Sequence, residues 1–232
     1  RDLVRSRGLG DVYKRQLQDE AKKKTPKILT PKETILEQKR EVSLKEEKDN
    51  NRYYVYVKGE VVLTTDSVSD AIIAANSQMG VVIGENQQYV WKRSRKTAQA
   101  AFNDIVVGEE DSGAGSIAQC VNAILEKEEI NISVSALISQ GETPKQILLN
   151  TLKDAAVLDL TGCTVDEILY YVSNGYPVFA MTGSNDAVLV VGYDANNVVL
   201  YDPAMGQTYK RTTADADEMF FNAGNIFFTY QK

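Results

Sequence analysis

The chain has 232 residues, a net charge of −6, two cysteines and no histidine, and 43% of it is hydrophobic. That composition supports a packed core and excludes a collagenous or wholly disordered chain, and the acidic balance lacks the clustered cations that a phosphate backbone requires, so nucleic acid is not an expected partner. Without histidine, neither Cys-His nor Ser-His-Asp catalysis can run within the chain. Cys120 and Cys163 can form at most one disulfide and cannot complete a zinc site, so no metal or cofactor is implied.

Residues 5–16, RSRGLGDVYKRQ, look like translated sequencing-adapter read-through, which sets residues 1–16 outside the fold and implies that the true N-terminus, with any signal or anchor, is lost. Between Leu17 and Asn50 half of the residues are charged, and Ile35, Leu36, Val42 and Leu44 are the only apolar anchors of a partly helical stretch between Lys32 and Lys48. Such a segment cannot bury a core and reads as a charged linker or stalk over 17–50. A charged stalk ahead of folded modules fits a membrane-anchored extracellular bacterial protein. No run approaches the ~20 apolar residues of a membrane-spanning helix.

Folded structure is predicted to begin at Tyr53. YYVYV, the turn Lys58-Gly59 and EVVLTT form a hairpin. Ser67 caps a helix to Met79 with Gly80 as its stop, and VVIG and QYVW form a second hairpin around Glu85-Asn86. This is a small ββαββ module over 51–95. Trp91 beside Lys92, Arg93 and Arg95 suits the edge of a core with solvated flanks. Residues 93–104 suit a basic helix leading into the Gly-rich bend at 108–115.

The pattern over 96–232 is helices first and strands afterwards. Ser116 caps IAQCVNAILEKE, VSALISQG is a short helix, Thr143-Pro144 opens PKQILLNTLKD, and Thr164 with Glu167 forms a capping box ahead of ILYYVSNG. The strands PVFAMT, AVLVVGYD, NVVLYDP and QTYKRTT follow, then a helix over 214–223 and the last strand NIFFTYQ. Helices followed by an antiparallel sheet define an α+β domain.

From Cys120 onward the residues resemble the papain-like cysteine peptidases of the bacteriocin-processing type, which remove double-glycine leader peptides. The resemblance covers about half the chain and rests on IAQCVNAIL, SVSALISQGETP, DEILYYVSNGYPVFAM, DAVLVVGYD and VVLYDPAMG in that order. It implies a papain-like domain in which Cys120 holds the nucleophile position, Asp186 stands where the family has its histidine, and Asp202 matches the orienting acid. Ala114 replaces the glutamine that helps bind the oxyanion, and Val121 replaces the usual glycine. As a residue near a helix N-terminus, Cys120 is expected to have a lowered thiol pKa. Against that, a carboxylate beside a thiolate raises the thiol pKa and is too weak a base near neutral pH.

The expectation is therefore a degenerate, non-cleaving member that binds an extended peptide in the old substrate cleft. Two alternatives stay open: an active cysteine peptidase in which Asp186 or another chain supplies the base, and an envelope scaffold whose ββαββ module binds a neighbour. Each site residue also has a plain structural reading. Cys120 suits a buried helix face, Asp202 and Asp186 are turn formers, Cys163 suits packing, and Tyr170, Tyr171 and Tyr176 suit a half-buried face. Oligomeric state is not legible.

Overall fold

The computed structural model describes residues 51–93 and 115–232. The stalk, the 93–104 helix expected beyond Arg93, and the Gly-rich bend before Gly115 lie outside these residues. Residues Asn51–Lys232 form one compact unit. Its strands are β1 (Tyr53–Val57), β2 (Glu60–Thr65), β3 (Val81–Gly84), β4 (Tyr89–Lys92), β5 (Ala156–Asp159), β6 (Val178–Met181), β7 (Ala187–Tyr193), β8 (Asn197–Asp202), β9 (Gln207–Thr212) and β10 (Phe227–Gln231). Its helices are α1 (Val68–Ser77), α2 (Ser116–Lys127), α3 (Val134–Ser139), α4 (Pro144–Thr151), α5 (Val165–Ser173) and α6 (Thr213–Asn222). Strand neighbours are antiparallel in a four-stranded sheet, β2-β1-β3-β4, and a six-stranded sheet, β5-β10-β6-β7-β8-β9. The fold is α+β, as the helix-then-strand pattern predicts.

Local chemistry explains most element boundaries. Lys58 and Gly59 both take positive φ, 51° and 89°, the turn that matches the twist of a two-residue hairpin. Ser67 accepts the Asp70 N–H at 3.2 Å to start α1. At the other end Met79, not Gly80, adopts the left-handed conformation, and Gly80 N–H closes onto Ala75 C=O at 2.7 Å. Gly80 is required for space, because a Cβ there would meet the Tyr56 carbonyl oxygen at 2.6 Å. Thr143 and Gln146 cap α4 reciprocally, with Pro144 in the first turn. The Asp217 carboxylate of α6 accepts the Val165 N–H at 3.0 Å and so satisfies a donor at the start of α5.

Strand β5 is an element that the pattern reading passes over. Only four residues long, it is apolar apart from Asp159 and lies on the outer flank of β10, pairing Leu158 with Thr229.

The six-stranded sheet is covered on both faces, and all seven residues of β7 are buried. On one face Leu189 and Val191 pack with Cys120, Ile124 and Leu148 of the α2–α4 layer. On the other, Val188 and Val190 pack with Ile168 and Tyr171 of α5 and, in the same cluster, with Ile72, Val82 and Trp91 of the ββαββ segment. That segment is joined to α5 by polar contacts as well. Trp91 Nε1–H donates to the Glu167 carbonyl oxygen at 2.7 Å. Asn76 Nδ2 donates to Glu167 Oε1 at 3.0 Å, and Glu167 Oε2 accepts the Thr164 N–H at 2.8 Å. One buried glutamate therefore closes its own helix cap and holds α1.

A second polar knot fixes Lys232. The Glu128 carboxylate, 7% exposed, accepts from Tyr230 Oη and pairs with the Lys232 ammonium, while Lys127 lies 3.5 Å from it. Burial alone would raise the Glu128 pKa. The hydrogen bonds from Lys232 and Tyr230, and the charges of Lys127 and Lys232, outweigh it and hold the carboxyl below its usual range.

Two outcomes follow from these contacts. Trp91→Phe leaves the Glu167 carbonyl without its donor and part of the core unfilled. It should lower unfolding free energy by about 2–3 kcal/mol, read from the urea midpoint by circular dichroism. Glu128→Gln should cost about 1–3 kcal/mol at pH 7. Because the folded carboxyl titrates below the unfolded one, the native chain's advantage is fully present above ~pH 4.5 and disappears as pH falls through the folded value. Equal losses for the variant at pH 7 and pH 3 would refute that assignment.

Candidate functional site

The three sequence-predicted site residues converge on one end of the six-stranded sheet, beside the start of α2. The structure shifts this helix relative to the expected cap. Gly115 is the N-cap, and Ser116 is the first helical residue. The Ser116 hydroxyl is engaged by the sheet, accepting the Ala187 N–H at 3.1 Å and reaching the Asn185 carbonyl oxygen at 3.5 Å. The start of α2 is thereby docked on the turn that carries Asp186, and Cys120 lies one full helical turn further in.

The cap moves by one residue only, and it is the depth of Cys120 in the packed core that sets its electrostatics. Helix-end stabilisation of an anion fades within the first turn, and Cys120 has no solvent exposure at all. Its neighbours in the packed cluster include Phe179, Leu189 and Tyr201. The expected lowering of the thiol pKa is reversed. Burial pushes it well above the ordinary value, and the Asp202 carboxylate adds to the rise. Cys163 is a free thiol of the same kind, packed in the cluster on the opposite face of the sheet. Burial raises its pKa first, with Glu167, Asp159 and Asp70 adding to it. The two cysteines belong to different sides of the six-stranded sheet and are not bridged.

The two aspartates serve their own turns. Asp186 is exposed at the end of the β6–β7 hairpin, where its backbone oxygen accepts the Thr182 N–H at 2.8 Å. Its carboxylate folds back over Gly183, 3.6 Å from the position a Cβ would take there. Asp202 ends β8 and its Oδ1 accepts the Ala204 N–H at 2.9 Å, an Asx turn ahead of Pro203. The carboxylate whose charge reaches the Cys120 thiol is Asp202; Asp186 is exposed.

Around Cys120 the helix buries polar groups as well. Gln119 and Asn122 are 6% and 4% exposed. Asn122 Nδ2 donates to Glu126 Oε1 at 3.2 Å, and among the described residues Asn122 Oδ1 and the Tyr201 hydroxyl have no hydrogen-bond partner. Burial raises the Tyr201 pKa, with Cys120, Glu126 and Asp202 adding to it. Among the described residues, the groups whose charges shift Cys120 and Tyr201 are anionic when charged, so none of them favours a thiolate. Tyr170 and Tyr171 are both buried, their rings 5.3 Å apart edge to face, and act as core. Ala114 lies outside the described residues.

A cleft of about 460 Å³ lies elsewhere, and none of Cys120, Asp186 and Asp202 lines it. Its walls come from the β3–β4 hairpin and the chain entering β1 on one side, and from β5 and the end of β10 on the other. Pattern reading missed it because β5 was not assigned. The available signal was AVLDL, an apolar run between Asp154 and the Thr161-Gly162 turn.

No family profile matches this sequence, and no curated protein does. Among solved structures it is similar to a Bacillus anthracis protein provisionally described as a C39-like peptidase, at 15% sequence identity and a TM-score of 0.43, covering 62% of this chain and 97% of that one. A likeness that distant carries no argument about function.

The thiol environment makes a measurable statement. Iodoacetamide should label neither cysteine at an appreciable rate in the folded protein at pH 7–8, and both should label at the rate of ordinary thiols, pKa ~8.5, once the chain is unfolded in urea. Rapid labelling of Cys120 in the folded chain below pH 8 would overturn the burial argument.

Proposed function

We propose that this chain binds extended polypeptide segments without cleaving them, as a degenerate relative of the papain-like, leader-processing peptidases that its sequence resembles. The observation that carries the reading is the state of the nucleophile position. Cys120 is sealed in the core with its proton held by desolvation and by Asp202, in a chain that has no histidine to remove it. Thiolate attack needs an accessible, deprotonated sulfur and a base within hydrogen-bond reach. Losing one member of such a triad removes on the order of 10⁴ in rate. Here the thiol is inaccessible and the chain offers no imidazole, while recognition of an extended backbone by main-chain hydrogen bonds requires neither an exposed thiol nor a base.

The test separates binding from turnover. The full chain is incubated with a random peptide pool, and the pool is then analysed by mass spectrometry, with the Cys120→Ser variant in parallel. The expected result is retention of peptides by the chain, an unchanged mass distribution, and no difference between chain and variant. Cleavage that disappears in Cys120→Ser would defeat the proposal, as would failure to retain any peptide.

A further inference from the structure

The end of β10 is held differently from its beginning. Phe227 and Phe228 pair with β6, whereas from Thr229 to Gln231 the ladder continues with β5 alone. A strand end paired on one flank belongs to the low-stability part of a sheet. Beyond Phe228 side chains take over. Thr229 Oγ1 donates to the Pro177 carbonyl oxygen at 2.7 Å, and the Tyr176 hydroxyl accepts the Lys232 N–H at 3.3 Å. The Glu128 carboxylate, at the end of α2, takes the Tyr230 hydroxyl and the Lys232 ammonium.

These attachments reach the cleft between the two sheets. Tyr230 lies in the core cluster that α2 shares, and the next residue points to the other face. There Gln231 Nε2 donates to the Tyr89 carbonyl oxygen of β4 at 3.1 Å, a bond that crosses from the six-stranded sheet to the four-stranded one. Gln231 and Lys232 both line the cleft, so that wall is only as fixed as the end of β10.

The groups around Glu128 depend on its charge. α2 brings Lys127, whose Nζ lies 3.5 Å from the carboxylate and 3.3 Å from Tyr230 Oη, with Glu126 and Glu129 flanking in sequence. β10 brings Tyr230, and Lys232 follows it. The turn before β6 brings Tyr176, its ring 5.2 Å from that of Tyr230, and the loop before β5 brings Asp154, whose charge acts on Lys232. Glu128 is the carboxylate that both lysines meet. Once neutral it no longer attracts either ammonium, and the Lys232 side chain, 54% exposed, returns to water at little cost.

We propose that Glu128 is an acid-released latch: when its carboxylate takes a proton from solvent, Lys232 and Tyr230 leave α2, the end of β10 frays, the Gln231 bridge to Tyr89 opens and the cleft widens. Because the folded carboxyl titrates below its usual range, the latch is shut at neutral pH and opens only as pH falls through the folded value. It requires no ligand and stands whether or not the chain binds polypeptide.

The test is a nuclear magnetic resonance titration of the isotope-labelled full chain from pH 7 towards pH 3, with the fold followed by circular dichroism. The Glu128 carboxyl carbon should share one midpoint with the amides of Gln231, Lys232 and Val90, the last belonging to the Tyr89 peptide group. In Gln231→Ala the Glu128 titration should persist while Val90 no longer follows it. At pH 7, amide exchange at 229–232 should be at least tenfold faster in Glu128→Gln and in Lys232→Gln than in the native chain, and unchanged at Val190. Lys232→Gln alters a largely exposed side chain, and so serves even where Glu128→Gln fails to fold. A Glu128 titration that leaves Gln231 and Val90 unmoved, or exchange at 229–232 as slow in Lys232→Gln as in the native chain, would overturn the latch.

Discussion

Strand β7 is buried on both faces, and the rest of the molecule is arranged by that fact. A strand with seven consecutive buried residues needs an apolar layer on each side of its sheet. Helices α2, α3 and α4 supply one layer, and α5 with the ββαββ segment supplies the other. The ββαββ segment is too small to sustain a core alone. Its α1 buries Ile72 in the cluster that contains Ile168 and Val190, and Glu167 ties α1 and Trp91 to α5 through side chain and backbone. Removing this layer would open one face of β7 to water.

The same two-sided burial governs the chemistry. A thiol on the inner face of α2, buried in the cluster that holds Leu189 and Tyr201, is as dry as the aliphatic residues of that cluster. Desolvation acts on the charged form alone and so retains the proton. The two nearest acidic candidates do not relieve this. Asp186 is committed to an exposed hairpin, and Asp202 to an Asx turn from which its charge opposes thiolate formation. In the folded chain the residue at the nucleophile position lies in the core, and the two aspartates at the partner positions sit in turns.

Much of the fold was legible because local signals coincide with tertiary demands. Lys58-Gly59, Ser67, Thr143-Pro144 and Thr164 with Glu167 each fix a boundary through chemistry that acts within four residues. The misreadings arise where a distant contact decides. Ser116 looks like a cap, yet its hydroxyl is claimed by Ala187 across the domain. Gly80 looks like a left-handed stop, yet Met79 takes that conformation while Gly80 clears the backbone of β1. β5 is short and lacks alternation, and only its pairing with β10 makes it a strand. The candidate site suffered similarly. Motif order names the residues, but the burial of Cys120 is decided by packing across the sheet, in the cluster with Leu189 and Tyr201, which local spacing does not encode.

Each sheet edge poses the question of what keeps it from pairing indiscriminately. β9 carries Lys210 and Arg211, charges that disfavour an adjoining strand. β2 exposes Val61 and Val62 at 48% and 47% but is bent by the bulge between its Leu63 and Val61 pairings to β1. β4 combines Lys92 with its own bulge and a carbonyl capped by Gln231. β5 has no cation of its own and no bulge, but the Lys145 ammonium of α4 pairs with its Asp159 carboxylate at 3.2 Å. A charge supplied by a helix thus stands at the end of the strand that carries none, and a strand of four residues leaves little edge to template a neighbour.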